Sequence, residues 1–130
     1  MSITTSSTTS TTNQSSTNQS KFATDTIYLF INGQRHVVPR PEPDTSLIQY
    51  LRQQGLTGTK LGCNEGGCGA CTVMLSHYDT SQHRVINRTV NACLMPLCSC
   101  DACAVVTVEG IGSSRDTLHY IQQCIKEYNG

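Results

Sequence analysis

The chain has 130 residues, with nine Lys plus Arg against nine Asp plus Glu, so its formal net charge is zero. That balance argues against nucleic-acid binding, which draws on a basic excess, and no apolar run reaches the roughly 20 residues that span a bilayer. One domain is the natural count, and the anomaly is eight cysteines beside ten glycines and no Trp.

The first 20 residues hold seven Ser, seven Thr, two Asn and two Gln, and no charge. Such a tract buries too little apolar surface to offset the entropy of ordering, so a disordered tail is predicted over 1–23. It has neither the basic start nor the apolar stretch of a secretory signal, and it lacks the Arg of an organelle transit peptide. A cytoplasmic location is expected. The sequons at Asn13, Asn18 and Asn87 carry little weight without a secretory route.

A domain is predicted over 24–112. Residues 27–31 form a β-rich apolar run, and Asn32-Gly33 follows it as a type I′ hairpin signal, with 34–38 as the return strand. Three prolines, Pro39, Pro41 and Pro43, end that strand. Ser46 with Gln49 can form a capping box. Leu47, Tyr50 and Leu51 then share one face of a helix, and Gly55 suits the position just past its end. A glycine-rich loop runs over 58–69. Strands are predicted over 71–76, with Val73 and Leu75 on one face, over 85–90 and over 104–109, with a polar loop at 77–84. Leu118, Ile121, Ile125 and Tyr128 step by three, four and three, so an amphipathic helix is predicted in 113–130.

Cys63, Cys68 and Cys71 have four and then two intervening residues, and Cys93 follows at a distance. This is the C-x4-C-x2-C…C spacing of plant-type 2Fe–2S ligation. One loop must wrap a small anionic cluster and turn three thiolates inward. Glycines at 62, 66, 67 and 69 remove side chains from that inner surface, and their N–H groups can point at sulfur. Asn64 tolerates a left-handed conformation better than most residues. Two alternatives remain open at this point. A disulfide scaffold would need an oxidising compartment. A zinc site usually pairs C-x2-C knuckles, and here the fourth cysteine stands alone.

The stretch from Gly58 through Cys63, Cys68 and Cys71 to Met74 resembles the N-terminal iron–sulfur domain of the xanthine dehydrogenase and aldehyde oxidase family. Asn91-Ala-Cys93-Leu-Met-Pro-Leu-Cys98 is similar to that family's fourth-ligand segment, and 107–112 to the strand and turn that close the domain. The resemblance covers about 26–128. It implies an α+β, β-grasp ferredoxin-like fold that binds one 2Fe–2S cluster through Cys63, Cys68, Cys71 and Cys93 and carries single electrons. It also implies what lies elsewhere in the family. A second cluster, a flavin and a molybdopterin belong to further domains, so none of these is expected in this chain. The expected partner is a redox protein or a molybdenum or flavin subunit. The terminal helix resembles the start of the family's second, helical domain. An inactive truncated relative is the alternative reading.

The other cysteines read as small apolar residues. Cys98, Cys100 and Cys103 follow Cys93 closely and could form a second metal site or supply an alternative fourth ligand, but free Cys is among the most buried residue types. Cys124 sits among the apolar positions of the terminal helix and is expected in the core. The four histidines, 36, 77, 83 and 119, show no metal-ligand spacing. Lys60 and Glu65 flank the cysteine loop as candidate tuning or docking charges.

Overall fold

A computed structural model describes residues 25–115 and 117–129 of the chain. The predicted tail over 1–23 lies outside the described residues.

The first hairpin forms as its sequence directs. Strand β1 (Thr26–Ile31) and strand β2 (Gln34–Pro39) pair antiparallel, with Ile31 opposite Gln34. Asn32 and Gly33 turn between them with φ of 51° and 81°, the double positive φ of a type I′ turn. Period-two alternation then sorts the side chains. Ile27, Leu29 and Ile31 are buried while Tyr28 and Phe30 face outward.

Helix α1 (Leu47–Gln53) starts at the expected capping box, where the Gln49 side chain accepts the Ser46 N–H at 2.8 Å. It ends in a Schellman arrangement. Gly55, at φ 80°, donates its N–H to the Arg52 carbonyl, and Leu56 donates to that of Leu51. Leu47, Ile48 and Leu51 are fully buried against the sheet. Each such side chain contributes about 1.5–3 kcal/mol of burial free energy.

Strands β3 (Thr72–Asp79) and β4 (Arg84–Asn91) form the second hairpin, in register from Thr72 opposite Asn91 to Asp79 opposite Arg84. Both outrun their predicted ends, so the polar loop shrinks to 80–83. Asp79 explains the tight turn, because its Oδ1 accepts the Ser81 hydroxyl at 2.6 Å and the Ser81 N–H at 2.8 Å. A 3-10 turn (Leu97–Cys100) leads to strand β5 (Ala104–Val106). The sheet order is β2-β1-β5-β3-β4, with β5 parallel to β1 and antiparallel to β3. This is the mixed sheet with a packed helix expected of an α+β, β-grasp ferredoxin-like domain.

Three expectations are corrected. The strand predicted over 104–109 stops at Val106, and 108–111 forms a one-turn helix α2 (Val108–Ile111). The reason is a contact across the fold: the Thr107 N–H bonds to the Asn32 side chain instead of to a neighbouring strand. Helix α3 (Tyr120–Glu127) forms, but it begins after Leu118, at a His119 cap. None of its residues is buried, and Cys124 is half-buried on it, so Cys124 is not a core residue. Gln122 anchors the helix by donating to the Gly112 carbonyl at 3.0 Å.

Candidate metal centre

The loop between Gly58 and Cys71 has almost no apolar burial of its own, and of residues 60–70 only Cys63 and Gly66 are as much as half-buried. Backbone bonds and a few side chains shape it. Asn64 adopts φ 59° and Gly66 φ 77°, which folds the chain back on itself. Asn91, at the end of β4, donates its Nδ2 to the Gly66 carbonyl at 2.9 Å. A Cβ on Gly66 would run into Leu94, so the loop tip is clamped between two residues that flank Cys93. In the sequence only their positions beside the fourth cysteine mark Asn91 and Leu94, and nothing there shows that they hold the loop tip.

Within this loop backbone N–H groups converge on sulfur. Cys63 Sγ accepts from the N–H groups of Glu65, Gly67 and Cys68 at 3.5, 3.3 and 3.3 Å. Cys68 Sγ accepts from the Cys63 N–H at 3.4 Å. A Cβ on Gly62 would lie 2.7 Å from Cys68 Sγ, so the missing side chain makes the room that this sulfur occupies. The N–H groups of Glu65 and Cys68, the Cys68 thiol and the Gly67 N–H hold the Cys63 thiol down to about 6, against the opposing effect of burial. N–H groups aimed at a sulfur favour its anionic form.

The other two predicted ligands are buried. Cys71 immediately precedes β3, and Cys93 follows β4 in the turn after Asn91. Their sulfurs are 3.3 Å apart. Burial first, and then the adjacent Cys71 thiol, raises the Cys93 thiol above its ordinary value. Hence the structure brings Cys63 to Cys68 and Cys71 to Cys93, as an outer and an inner pair at one end of the sheet. The donor set fits an iron–sulfur cluster: thiols in two pairs, glycine where bulk would block, and N–H groups directed at sulfur. Among the described residues no three His, Cys, Asp or Glu side chains gather about a single ion-sized point.

The remaining predicted groups stand apart. Cys100 and Cys103 are buried and Cys98 is half-buried. Their sulfurs point at carbonyl oxygens: Cys100 at Pro96, Cys103 at Asp101, Cys98 at Glu42. Burial, with smaller contributions from Cys103 and Cys98, pushes the Cys100 thiol up to about 12. Lys60 donates to the Thr57 carbonyl at 2.7 Å. His36 is not a plain surface residue, because its ring meets the Tyr50 hydroxyl at 3.2 Å and stacks edge-on against the Tyr50 ring. No helix among the described residues is long and apolar enough to cross a membrane.

Comparison with known proteins agrees with this geometry. Residues 29–98 match the 2Fe-2S iron-sulfur cluster binding domain family. The xanthine dehydrogenase/oxidase of Felis catus is 51% identical over 107 residues, which are 82% of this chain and 8% of that protein. The chain thus spans under a tenth of the length of the curated relatives it matches. Among solved structures, quinoline 2-oxidoreductase from Pseudomonas putida 86 is 30% identical with a TM-score of 0.64, over 80% of this chain and 57% of that one. The aldehyde oxidoreductase of Desulfovibrio desulfuricans is 32% identical with a TM-score of 0.65, over 81% of this chain and 10% of that one. The chain therefore belongs to the 2Fe–2S iron–sulfur cluster binding domains, in the branch shared with xanthine dehydrogenases and aldehyde oxidases.

Proposed function

We propose that this chain is a one-electron transfer module that holds its 2Fe–2S cluster on Cys63, Cys68, Cys71 and Cys93. The observation that carries the ligand set is the convergence of four N–H groups on Cys63 and Cys68. When bound, such a cluster supplies reversible one-electron chemistry at iron. Cys63 with Cys68 would hold one iron, and Cys71 with Cys93 the other. The inner pair ties the site to the sheet, since Cys71 precedes β3 and the Cys71 carbonyl accepts the Ala92 N–H at 3.1 Å. The outer pair faces solvent, with Cys68 exposed, which gives an electron a short route to a docked protein. N–H donors at that end stabilise the negative charge added on reduction.

The pairing also bears on the zinc alternative. A single zinc ion takes four ligands about one point, and the thiols here divide into two pairs. The module works as a free-standing chain or as a subunit, with a flavin- or molybdenum-bearing protein as its partner in the cytoplasm. Metal analysis of anaerobically purified protein tests the reading. Iron and labile sulfide at about 1:1 are expected for a 2Fe–2S centre; stoichiometric zinc without sulfide would overturn it. Co-purification of a flavin or molybdenum protein would identify the partner.

A further inference from the structure

We propose that Glu109 is a positioning residue for the cluster: its bond to the Gly58 N–H fixes the root of loop 58–71 and governs how long the four-thiol site retains its cluster. The proposal rests on the cysteine assignment above and adds a residue remote from the thiols.

Both carboxylate oxygens of Glu109 are engaged. Oε1 accepts the Gly58 N–H at 2.6 Å, and Oε2 accepts the Thr107 hydroxyl at 2.6 Å. Thr107 is itself buried and doubly tied to the first hairpin turn. Its N–H donates to Asn32 Oδ1 at 2.9 Å, and its hydroxyl oxygen accepts Asn32 Nδ2 at 3.0 Å. A continuous chain of bonds thus runs from the β1–β2 turn through Thr107 and Glu109 to the residue where the cysteine loop begins. Charge-assisted bonds of this kind are about twice as strong as neutral ones.

Two glycines record how closely these parts approach. A Cβ on Gly58 would lie 2.5 Å from Val108 Cγ1 and 2.6 Å from Glu109 Oε1, and one on Gly110 would overlap the Asn32 side-chain amide. The loop needs such an anchor. It buries little apolar surface, and apart from Gly58 it is tied to the domain at scattered carbonyls: Thr59 accepts from Arg52 at 3.5 Å, Gly66 from Asn91 at 2.9 Å and Gly69 from the Thr72 hydroxyl at 2.7 Å. A segment held by few bonds opens locally without global unfolding, and each opening exposes the cluster. Glu109 stays ionised at neutral pH. Desolvation opposes this, but the Thr107 hydroxyl, the backbone N–H groups of Glu109 and Gly58, and the Lys60 charge outweigh it.

The test uses the full chain, assembled anaerobically with iron and sulfide, and follows loss of the visible cluster absorption in the presence of a chelator. Wild type is compared with Glu109→Ala, Glu109→Gln and Leu29→Ala, a core variant that removes no hydrogen bond to the loop. Glu109→Ala is expected to lose its cluster about tenfold faster than Leu29→Ala even where Leu29→Ala melts at the lower temperature. Glu109→Gln keeps an acceptor oxygen for Gly58 and should fall between wild type and Glu109→Ala. Hydrogen exchange over 58–62 should rise in both Glu109 variants and not in Leu29→Ala. Cluster loss that simply follows melting temperature, with exchange over 58–62 unchanged, would overturn the proposal alone. If Glu109→Ala does not fold, the same comparison between Glu109→Gln and Leu29→Ala decides. A wild-type chain that assembles no cluster would overturn the cysteine assignment, and the proposal with it.

Discussion

Two groups of cysteines lie within one short chain, and their sulfurs do opposite work. In the loop, Cys63 and Cys68 accept hydrogen bonds from backbone N–H groups. In the segment after Cys93, the thiols of Cys98, Cys100 and Cys103 point at carbonyl oxygens instead. An N–H aimed at sulfur favours the thiolate, whereas a carbonyl favours the protonated thiol. Backbone N–H groups hold the Cys63 thiol down to about 6, whereas burial first, and then the neighbouring Cys103 and Cys98, pushes the Cys100 thiol up to about 12. Thiolates bind metal and thiols pack. The direction of the hydrogen bond therefore sets the outer pair, Cys63 and Cys68, apart from the second group, whereas Cys71 and Cys93 are buried against each other and are marked as proposed ligands by their place beside that loop.

The largest test of this contrast is a pair of substitutions. Cys93→Ser should lower cluster content at least about tenfold, because even the hydrogen-bonding partners of a ligand are worth that much. Cys100→Ser should keep the cluster and lose roughly 1–2 kcal/mol of stability, read by thermal melting. The reverse order would mean that the fourth ligand lies in the second group. A smaller effect is expected in alkylation of the metal-free chain followed by mass spectrometry. The Cys63 pKa is lowered, so its thiolate forms as pH rises through about 6 and is about nine-tenths formed at pH 7. Its alkylation rate should therefore level off near neutrality, while Cys100 stays unmodified until the chain unfolds. Equal rates would erase the distinction. The smallest effect is expected from deleting residues 115–130. None of the residues of α3 is buried, so cluster absorption should be unchanged; its loss would show that the terminal helix supports the loop.

Much of this architecture is legible in the sequence because its signals are local. Asn32-Gly33 turns the first hairpin, Ser46 with Gln49 opens α1, Gly55 closes it, and the alternation in β1 selects the buried face. The spacing of Cys63, Cys68 and Cys71 likewise places three thiols in one loop. What is not legible depends on contacts across the fold. Asn32 reads as a turn residue, but its side chain also holds Thr107, 75 positions away, and this ends β5 early. Glu109 reads as the end of a strand until the structure sets it against Gly58. Cys124 follows the apolar period of its helix, yet periodicity cannot say whether that face has anything to pack against, and here it remains half-buried.

The central claim, a 2Fe–2S cluster on the loop thiols and Cys93, is tested most directly by electron paramagnetic resonance of the anaerobically purified, chemically reduced chain. The account predicts the signal of a reduced 2Fe–2S centre, integrating to about one spin per chain. A reduced sample of intact protein with no such signal would contradict it.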